Sequence, residues 1–265
     1  LKGRSWAIKM NEKLEEKSKL YRQQIFEFKI MSKFGHLASC LSCVDIVNSL
    51  YNDPETYFDH SKDALIFSKA HGSPAVYPVL SELGYFPKDE LEKYCTPEGI
   101  LRLHSDQSIP GCHFVGGSLG NGVGYAAGLG FKQDRKIYVI LGDAELYEGS
   151  AWETFIFIAH HNLTNVHLIV DRNGLGILGE TEELLKLDPL DKKFESFGFD
   201  VMTVDGHDFD EMRSAFSRDN LDKPAVTITN TVKGKGVSYM EGVWQYHTII
   251  PKDEKDIAVG RKDLS

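Results

Sequence analysis

The chain has 265 residues, 42% of them apolar and 26% charged, a composition typical of a soluble globular protein. Its formal net charge of −9 argues against nucleic acid and anionic membranes as general partners. No apolar run approaches the roughly 20 residues that span a bilayer. The charged N-terminal segment also lacks the apolar core of a signal peptide, so the sequence predicts a cytoplasmic protein.

The first part of the chain predicts several helices and one buried strand. Apolar residues at mixed three- and four-residue spacing indicate an amphipathic helix over residues 5–32, ended by Gly35-His36. The other predicted elements are helices over 43–51, 74–83 and 88–94 and a strand over 64–68. Cys40 and Cys43 have the CxxC spacing inside a helical segment, and no second cysteine pair accompanies them, which favours packing over metal or redox chemistry.

The second part alternates strands with helices. A glycine-rich segment comes first, and its small residues from Ser118 to Gly128 allow close approach of another backbone or of a ligand. Apolar or β-branched runs predict strands over 137–141, 166–170, 200–204 and 225–229, with helices over 150–161, 182–197 and 210–217. This alternation predicts a doubly wound α/β fold, one domain over residues 1–265 with a mostly parallel sheet and helices on both faces.

Two oxygen-bearing side chains, Asp143 and Asn173, follow two of these strands and lie thirty positions apart. The carboxyl ends of parallel strands meet at the edge of the sheet where open α/β folds bind ligands. A carboxylate and an amide oxygen suit Mg²⁺ or Ca²⁺, and Mg²⁺ is usually completed by phosphate oxygens and water. Singly, Asp143 would be interpreted as a helix cap and Asn173 as a turn residue, but the pair at this spacing favours a cation site.

The segment from Gly142 to Leu175 resembles the thiamine-diphosphate motif, which begins Gly-Asp-Gly and ends in Asn at the same spacing. The resemblance implies that Asp143, Asn173 and the main-chain carbonyl of Leu175 hold Mg²⁺ or Ca²⁺, which grips the diphosphate of thiamine diphosphate. Ala144 replaces the second glycine of that motif. Its amide can still donate to a phosphate, provided that the φ angle of Ala144 is negative.

Further segments, in the same order, resemble the N-terminal, cofactor-binding half of transketolase from about residue 20 to 250. They are Gly35-His36-Leu37 (with Leu in place of Pro), Ser68-Lys69-Ala70-His71-Gly72, His104 to Pro110-Gly111, Gly117-Ser118-Leu119-Gly120-Asn121-Gly122, Glu148-Gly149, Asp205-Gly206-His207-Asp208, and Lys233-Gly234-Lys235-Gly236 with the later His247. Each match is weak alone, but their joint order is specific. The resemblance implies the thiamine-diphosphate-binding fold, diphosphate-binding type.

The resemblance also implies roles for two sets of residues. The catalytic set lies near the diphosphate and the substrate hydroxyls (His71, His247) or along the substrate channel (His36, His104). The cofactor-binding set is His71, Gly117, Ser118, Leu119, Gly142, Asp143, Ala144, Glu145, Asn173 and His247. Histidine suits such work because its pKa lies near neutrality and it can donate and accept protons. Glu148 is interpreted as a subunit-contact residue or as a solvated glutamate at a helix start.

A full transketolase has a second domain that binds the aminopyrimidine ring and supplies an activating glutamate, and no segment of this chain resembles it. The resemblance therefore implies one subunit of a split transketolase, whose C-terminal partner subunit carries the pyrimidine-binding domain. We expect a heterotetramer that transfers a two-carbon ketol unit between sugars or sugar phosphates, and we expect the chain to be inactive alone.

Three alternatives stay open at the level of sequence. One is a transketolase-like enzyme that acts on an unusual sugar in a specialised pathway. Another is a different thiamine enzyme, either the α subunit of a 2-oxoacid dehydrogenase or a synthase of deoxyxylulose phosphate type. The third is a non-catalytic scaffold subunit that retains the fold.

Overall fold

One parallel sheet organises the computed structural model, which describes residues 2–218 and 221–265. Within these ranges five strands lie in the order β1-β2-β3-β5-β4, and every pairing is parallel. They are β1 (Ala64–Phe67), β2 (Ile137–Gly142), β3 (Val166–Arg172), β4 (Asp200–Asp205) and β5 (Ala225–Asn230). The α/β class and the four strand segments predicted beyond residue 130 are confirmed.

The sheet is covered on both faces, and its central strands are buried at nearly every position. Side chains of a strand alternate between faces, and in β2 Tyr138 and Ile140 join one core layer while Val139 and Leu141 join the other. The first layer contains the N-terminal helices and the helix after β4. The second contains the helices on either side of β2 and the helix before β4. Burial on both faces is what forces continuous apolar runs in a parallel sheet.

Ten α-helices and four 3₁₀ segments surround the sheet in the described ranges. The α-helices are α1 (Lys2–Ser32), α2 (Leu37–Ser42), α3 (Val44–Asn52), α4 (Tyr77–Glu82), α5 (Asn121–Lys132), α6 (Gly149–His160), α7 (Thr181–Leu184), α8 (Leu190–Phe197), α9 (Phe209–Phe216) and α10 (Glu254–Asp263). The 3₁₀ segments are Ala70–Val76, Lys88–Leu91, Ala144–Tyr147 and Trp244–His247. In the part of the chain that is described, no helix is long and apolar enough to cross a membrane.

Several predicted helices are wrong in extent. The helix expected over 182–197 is two helices, α7 and α8, because Pro189 has no N–H for a helical hydrogen bond and stands between them. The helix expected over 88–94 shortens to a 3₁₀ segment, and the one expected to end near residue 83 is the short α4, preceded by 3₁₀ geometry around Pro74. The helix expected over 43–51 is α3, which the separate short α2 precedes, and α10 was not predicted.

The CxxC cysteines are packing residues in this fold. Cys40 and Cys43 are fully buried and free, and both belong to the core layer under α1. Across the described residues, no group of three His, Cys, Asp or Glu side chains could hold a metal ion. The interpretation of the pair as small apolar residues is consistent with this burial.

Candidate active site

The strand register brings the carboxyl ends of four strands to one edge of the sheet. Phe67 pairs with Ile140, Gly142 with Asp171, and Arg172 with Asn230. The loops that follow these strands surround a cavity of about 390 Å³. Its lining residues are His36, Lys69, His71, His104, Gly117, Leu119, Gly142, Asp143, Ala144, Glu145, Tyr147, Glu148, Asn173, Leu175, Gly176, Ile177, Leu178, Leu184, Lys233 and His247.

Asp143 lies at the end of β2 with its carboxylate held between two loops. Oδ1 accepts from the amide of Ala144 at 2.7 Å, and Oδ2 accepts from the amide of Gly174 at 2.6 Å. Burial raises the pKa of Asp143, and the nearby charge of Asp171 raises it further. Each carboxylate oxygen has two lone pairs, so both oxygens retain acceptor capacity. A buried carboxylate whose charged form is disfavoured in this way is suited to a cation.

Asn173 and Leu175 occupy the loop after β3, opposite Asp143. The amide of Leu175 donates to Oδ1 of Asn173 at 3.2 Å, which fixes the orientation of that side chain. Gly174 between them has φ +76°, a conformation that favours glycine. Only Lys33, Cys95 and Asn162 have positive φ among the described non-glycine residues, so the φ of Ala144 is not positive. The condition under which alanine replaces the motif glycine without strain is met.

Glu145 lines the cavity, but its carboxylate is occupied by protein donors. It accepts from the Ser68 hydroxyl, from the Gly120 amide at 2.7 Å and from the Gly142 amide at 3.1 Å. Ser68 follows β1, Gly120 precedes α5, and Gly142 is the last residue of β2. The carboxylate therefore ties the glycine-rich loop to the sheet edge, which favours a loop-holding role for the side chain of a residue predicted to bind cofactor.

Four histidines form one cluster along the cavity wall. The ring of His36 lies 5.3 Å from His71, 6.2 Å from His104 and 5.2 Å from His247, measured between ring centroids. His71 and His247 are 5.1 Å apart. They come from the α1–α2 turn, the 3₁₀ segments at 70–76 and 244–247, and the loop before the glycine-rich segment, so the tertiary fold unites residues up to 211 positions apart (247 − 36).

All four imidazoles are held in the neutral form. Burial, followed by the charge of Lys29, lowers the pKa of His36 to about 4, and the same causes lower the pKa of His104. Burial, then Lys233, lowers the pKa of His247 to about 3. Burial and Lys69 place the pKa of His71 well below its ordinary value. At neutral pH each ring therefore has one nitrogen that accepts and one that donates.

Two buried lysines of the site carried no role in the sequence-based prediction. Lys69 pairs with Asp171, and this carboxylate also accepts from the hydroxyls of Thr231 and, at 2.7 Å, Ser42. Lys233 donates to the Leu175 carbonyl at 2.9 Å, and its Nζ lies 2.9 Å from Nδ1 of His247. Burial, with the charge of Lys69, lowers the pKa of Lys233 to about 8. The only sequence signal was their position inside segments that resemble transketolase.

Nearly all predicted site residues meet at this cavity. The four histidines, Asp143, Asn173, Leu175 and the other predicted cofactor residues line it, except Ser118, which is exposed outside the cavity wall. Sequence reasoning missed the two lysines and the apolar rim of the mouth, formed by Tyr147, Ile177, Leu178 and Leu184.

A hard cation and an anionic ligand both fit this donor set. The Asp143 carboxylate, the Asn173 amide oxygen and the Leu175 carbonyl are oxygen ligands of the kind that Mg²⁺ and Ca²⁺ take. Two cationic lysines suit a diphosphate. Nδ1 of His36 and Nε2 of His104 are buried without a hydrogen-bond partner in the described part of the chain, so each has an unused capacity for a hydrogen bond. These features are those of an α/β site that could hold a phosphate group beside several imidazoles.

Comparison with known proteins shows the family to which this chain belongs. Residues 29–265 match the family model described as transketolase, thiamine diphosphate binding domain. The match extends over most of the chain, and the chain belongs to the transketolase family as its thiamine-diphosphate-binding domain.

Relatives of similar length carry names of transketolase subunits. The chain is 38% identical to an apulose-4-phosphate transketolase subunit of Actinobacillus succinogenes, over 94% of this chain and 95% of that protein. It is 33% identical to the protein of the same name from Phocaeicola vulgatus, over 92% of this chain and 91% of that protein. A 6-deoxy-6-sulfo-D-fructose transketolase subunit of a Clostridium species is 36% identical to it, over 81% of this chain and 83% of that protein.

Solved transketolases share the fold. The structure of Campylobacter jejuni transketolase superposes with a TM-score of 0.85 at 27% identity, and covers 95% of this chain. That of Leishmania mexicana gives 0.81 at 22% identity. This chain spans only 42% and 44% of those chains, so it corresponds to part of a single-chain transketolase.

Proposed function

We propose that this chain is the cofactor-binding subunit of a two-chain transketolase. In the complex it transfers a two-carbon ketol unit from a ketose or ketose phosphate to an aldose acceptor. The observation that carries the proposal is the convergence of four neutral histidines and the Asp143–Asn173–Leu175 oxygen set on one cavity. The match over nearly the full length of two named transketolase subunits supports it.

Asp143, Asn173 and the carbonyl of Leu175 would hold Mg²⁺, or Ca²⁺, against the diphosphate. The Ala144 amide donates to Oδ1 of Asp143 and would have to leave this acceptor to donate to a phosphate oxygen, as the motif implies. Gly117, Leu119, Gly142, His71 and His247 line the same cavity and are the proposed cofactor contacts. When bound, thiamine diphosphate supplies a nucleophilic carbon that adds to the ketose carbonyl and carries the two-carbon unit.

The chain's own part in the chemistry is proton transfer and orientation. A neutral imidazole accepts a hydroxyl proton from the ketose when the adjacent C–C bond breaks, and returns it when the new bond forms. We assign this work to His36 and His104, which line the cavity and each have a ring nitrogen without a hydrogen-bond partner. His71 and His247 bind hydroxyls and phosphate oxygens beside the cofactor. The apolar rim of the mouth limits access of water.

A second chain would complete the site. We propose a C-terminal partner subunit with the pyrimidine-binding domain, assembled as a heterotetramer. The names of the relatives, each one a transketolase subunit, support this requirement. The chain alone is expected to bind cofactor weakly and to lack ketol transfer.

The deciding experiment compares Asp143→Ala with the parent chain. Calorimetry with thiamine diphosphate should show Mg²⁺-dependent binding in the parent and none in the variant, because the variant lacks the metal carboxylate. The matched control is Asp134→Ala, an exposed aspartate before β2. Unchanged affinity of the Asp143 variant refutes the metal assignment. Robust ketol transfer by the chain without a partner refutes the two-chain proposal.

A second candidate concerns the sugar rather than the chemistry. The Actinobacillus and Clostridium relatives are named for apulose 4-phosphate and a sulfo-sugar. We infer that this chain serves an unusual sugar in a specialised pathway. The test is to measure ketol-transfer rates of the complex on a panel of ketoses that includes branched and sulfonated ones. Rates on common ketose phosphates that equal or exceed those on the unusual sugars contradict this inference. Activity on pyruvate would instead support one of the other thiamine enzymes, the 2-oxoacid dehydrogenase or the synthase of deoxyxylulose phosphate type.

A further inference from the structure

We propose that Lys29 is a positioning residue of the site: its buried amine supports the turn that carries His36, close to the segment that carries His104, and shapes the charge environment of both imidazoles. The catalytic meaning of this inference rests on the proposed function of the two histidines. The effect of a buried lysine on the charge of the two histidines does not depend on that proposed function.

Lys29 is a fully buried lysine in the last turn of α1. Its side chain has 0% exposure and lies against the ring of Tyr94, with Nζ 4.5 Å from the ring centroid. Nζ donates to Oη of Tyr94 at 2.5 Å and lies 5.9 Å from the centroid of Phe28. In the described ranges no carboxylate pairs with it. The amine is therefore held by an aromatic cage and one hydroxyl.

The lysine also packs under the turn that carries His36, beside the segment that carries His104. A Cβ built on Gly35 would lie 2.4 Å from Nζ of Lys29, 3.0 Å from Cδ1 of Leu103 and 3.3 Å from Oη of Tyr94. Gly35 precedes His36, and Leu103 precedes His104. Because Gly35 has φ +108° and no room for a side chain, the amine touches the backbone of this turn directly.

The field of Lys29 acts on the two histidines that it supports. After burial, Lys29 is the largest cause that lowers the pKa of His36 and of His104, and a hydrogen bond with the Gly116 backbone opposes it at His104. Burial also lowers the pKa of Lys29 itself. The other titratable groups that face Lys29 or His36 are Cys40, Cys95, Tyr94, Lys69, Lys233, His71 and His247.

Stability alone does not account for a lysine at this position. Burial of a cation without a carboxylate partner is unfavourable, and apolar replacement of buried charges is often neutral or stabilising. Methionine has nearly the length of lysine and packs well against aromatic rings. What methionine cannot supply is the positive potential that disfavours protonation of the neighbouring imidazoles.

The chemical consequence concerns the return of a proton. When a free imidazole nitrogen accepts the hydroxyl proton, the O–H bond breaks and an N–H bond forms, with a positive charge on the ring. Lys29 makes this imidazolium unfavourable, so the ring releases its proton readily to the next acceptor and returns to the neutral form. The lysine thus acts through His36 and His104 and does not itself contact substrate.

The test is the titration of individual histidines by NMR in the ring-labelled chain. The variants are Lys29→Met and, to retain an N–H donor for Tyr94, Lys29→Gln. The matched control is Lys19→Met, an exposed lysine on the same helix. In both Lys29 variants the midpoint of His36, about 4 in the parent, should rise toward the ordinary value of about 6.5, and His104 should follow. His167, remote from Lys29, should keep its midpoint in all chains.

Unchanged midpoints of His36 and His104 in a folded Lys29 variant overturn the proposal. Thermal melts show whether each variant is folded. We expect Lys29→Met to melt at the parent temperature or above. A strongly decreased melting temperature in both Lys29 variants would indicate a purely structural lysine. With the partner present, the acid limb of kcat/KM should move to higher pH in Lys29→Met. A parent complex without ketol transfer would refute the proposed function while the NMR result still decides the role of Lys29.

Discussion

Lys233 donates a hydrogen bond of 2.9 Å to the main-chain carbonyl of Leu175, the oxygen that we propose as a metal ligand. The same Nζ lies 2.9 Å from Nδ1 of His247. The lysine thus joins the metal side of the cavity to its histidine side. Because the carbonyl has a second lone pair, a cation and the lysine could share it, and the charges of both would attract a diphosphate.

The charge of Lys233 predicts a pH dependence of diphosphate binding. Its pKa is lowered to about 8, so the amine is charged below this pH and loses its charge as pH rises through it. Affinity for inorganic pyrophosphate with Mg²⁺ should therefore decrease as pH rises through this pKa. Calorimetry at pH values on either side of it measures the decrease. Lys233→Met should bind more weakly below the pKa and lose the dependence, whereas Lys235→Met should behave as the parent.

Glu145→Gln should loosen the glycine-rich loop. The carboxylate accepts from the Ser68 hydroxyl and the amides of Gly120 and Gly142, and an amide group would place an N–H against one of these donors. A buried unsatisfied donor costs about 1–3 kcal/mol. Urea denaturation should show a loss of this size. The exposed Glu153→Gln on α6 is the control, and equal stability of the two variants would contradict the assigned role.

Asp45→Asn should destabilise the fold near neutral pH and less so in acid. Asp45 accepts two bonds from Arg22, at 2.9 and 2.6 Å, and one from His207 at 2.6 Å. Burial alone would raise its pKa, but Arg22 and His207 outweigh burial and hold the pKa well below the ordinary range. A depressed carboxyl pKa contributes stability above the unfolded pKa of about 3.9, and this contribution is lost as pH falls below it.

The size of the Asp45 effect follows from the buried ion pair. Removing one partner of such a pair costs about 3–5 kcal/mol. Chemical denaturation at neutral pH should show a loss of this order, and the difference from the parent should narrow in acid below the unfolded pKa. A difference independent of pH would mean that shape, not charge, matters at this position.

Lys69→Met should lower the free energy of unfolding more by itself than in combination with Asp171→Asn. Lys69 and Asp171 are 1% and 0% exposed and form an ion pair inside the site. The single variant leaves a buried carboxylate that retains only uncharged donors, which costs about 3–5 kcal/mol, while the double variant removes both charges. Unfolding free energies of the four chains in a double-mutant cycle give the coupling. Additive effects would show that the pair contributes no coupling.

Much of the fold could be predicted because its signals are local. The runs 137–141 and 166–170 are apolar on both faces, and β2 and β3 lie where these runs predict them. Helix extents were less predictable, since α7 and α8 divide at Pro189 and the short 3₁₀ segments depend on tertiary packing. A polar segment such as α10 has weak periodicity of its own and is stabilised by contact with α1.

The oxygen set was predicted from spacing, and the histidines from resemblance. Asp143 and Asn173 end adjacent parallel strands, so their proximity follows from the sheet itself. The remote segments of His36 and His247 have no local signal that brings them together. Ser118 shows the limit of motif transfer, because it belongs to the glycine-rich motif but lies outside the cavity wall.

The sequence by itself determined the parallel sheet, the edge where ligands bind and the pair Asp143–Asn173, because these depend on the order and polarity of neighbouring residues. Only the tertiary structure decided which groups are charged. Lys29, Tyr94 and Leu103 are far apart in the chain, yet they surround Gly35, and Lys29 helps to set the protonation of His36. Burial and distance fix a pKa, and both are properties of the packed molecule rather than of any segment.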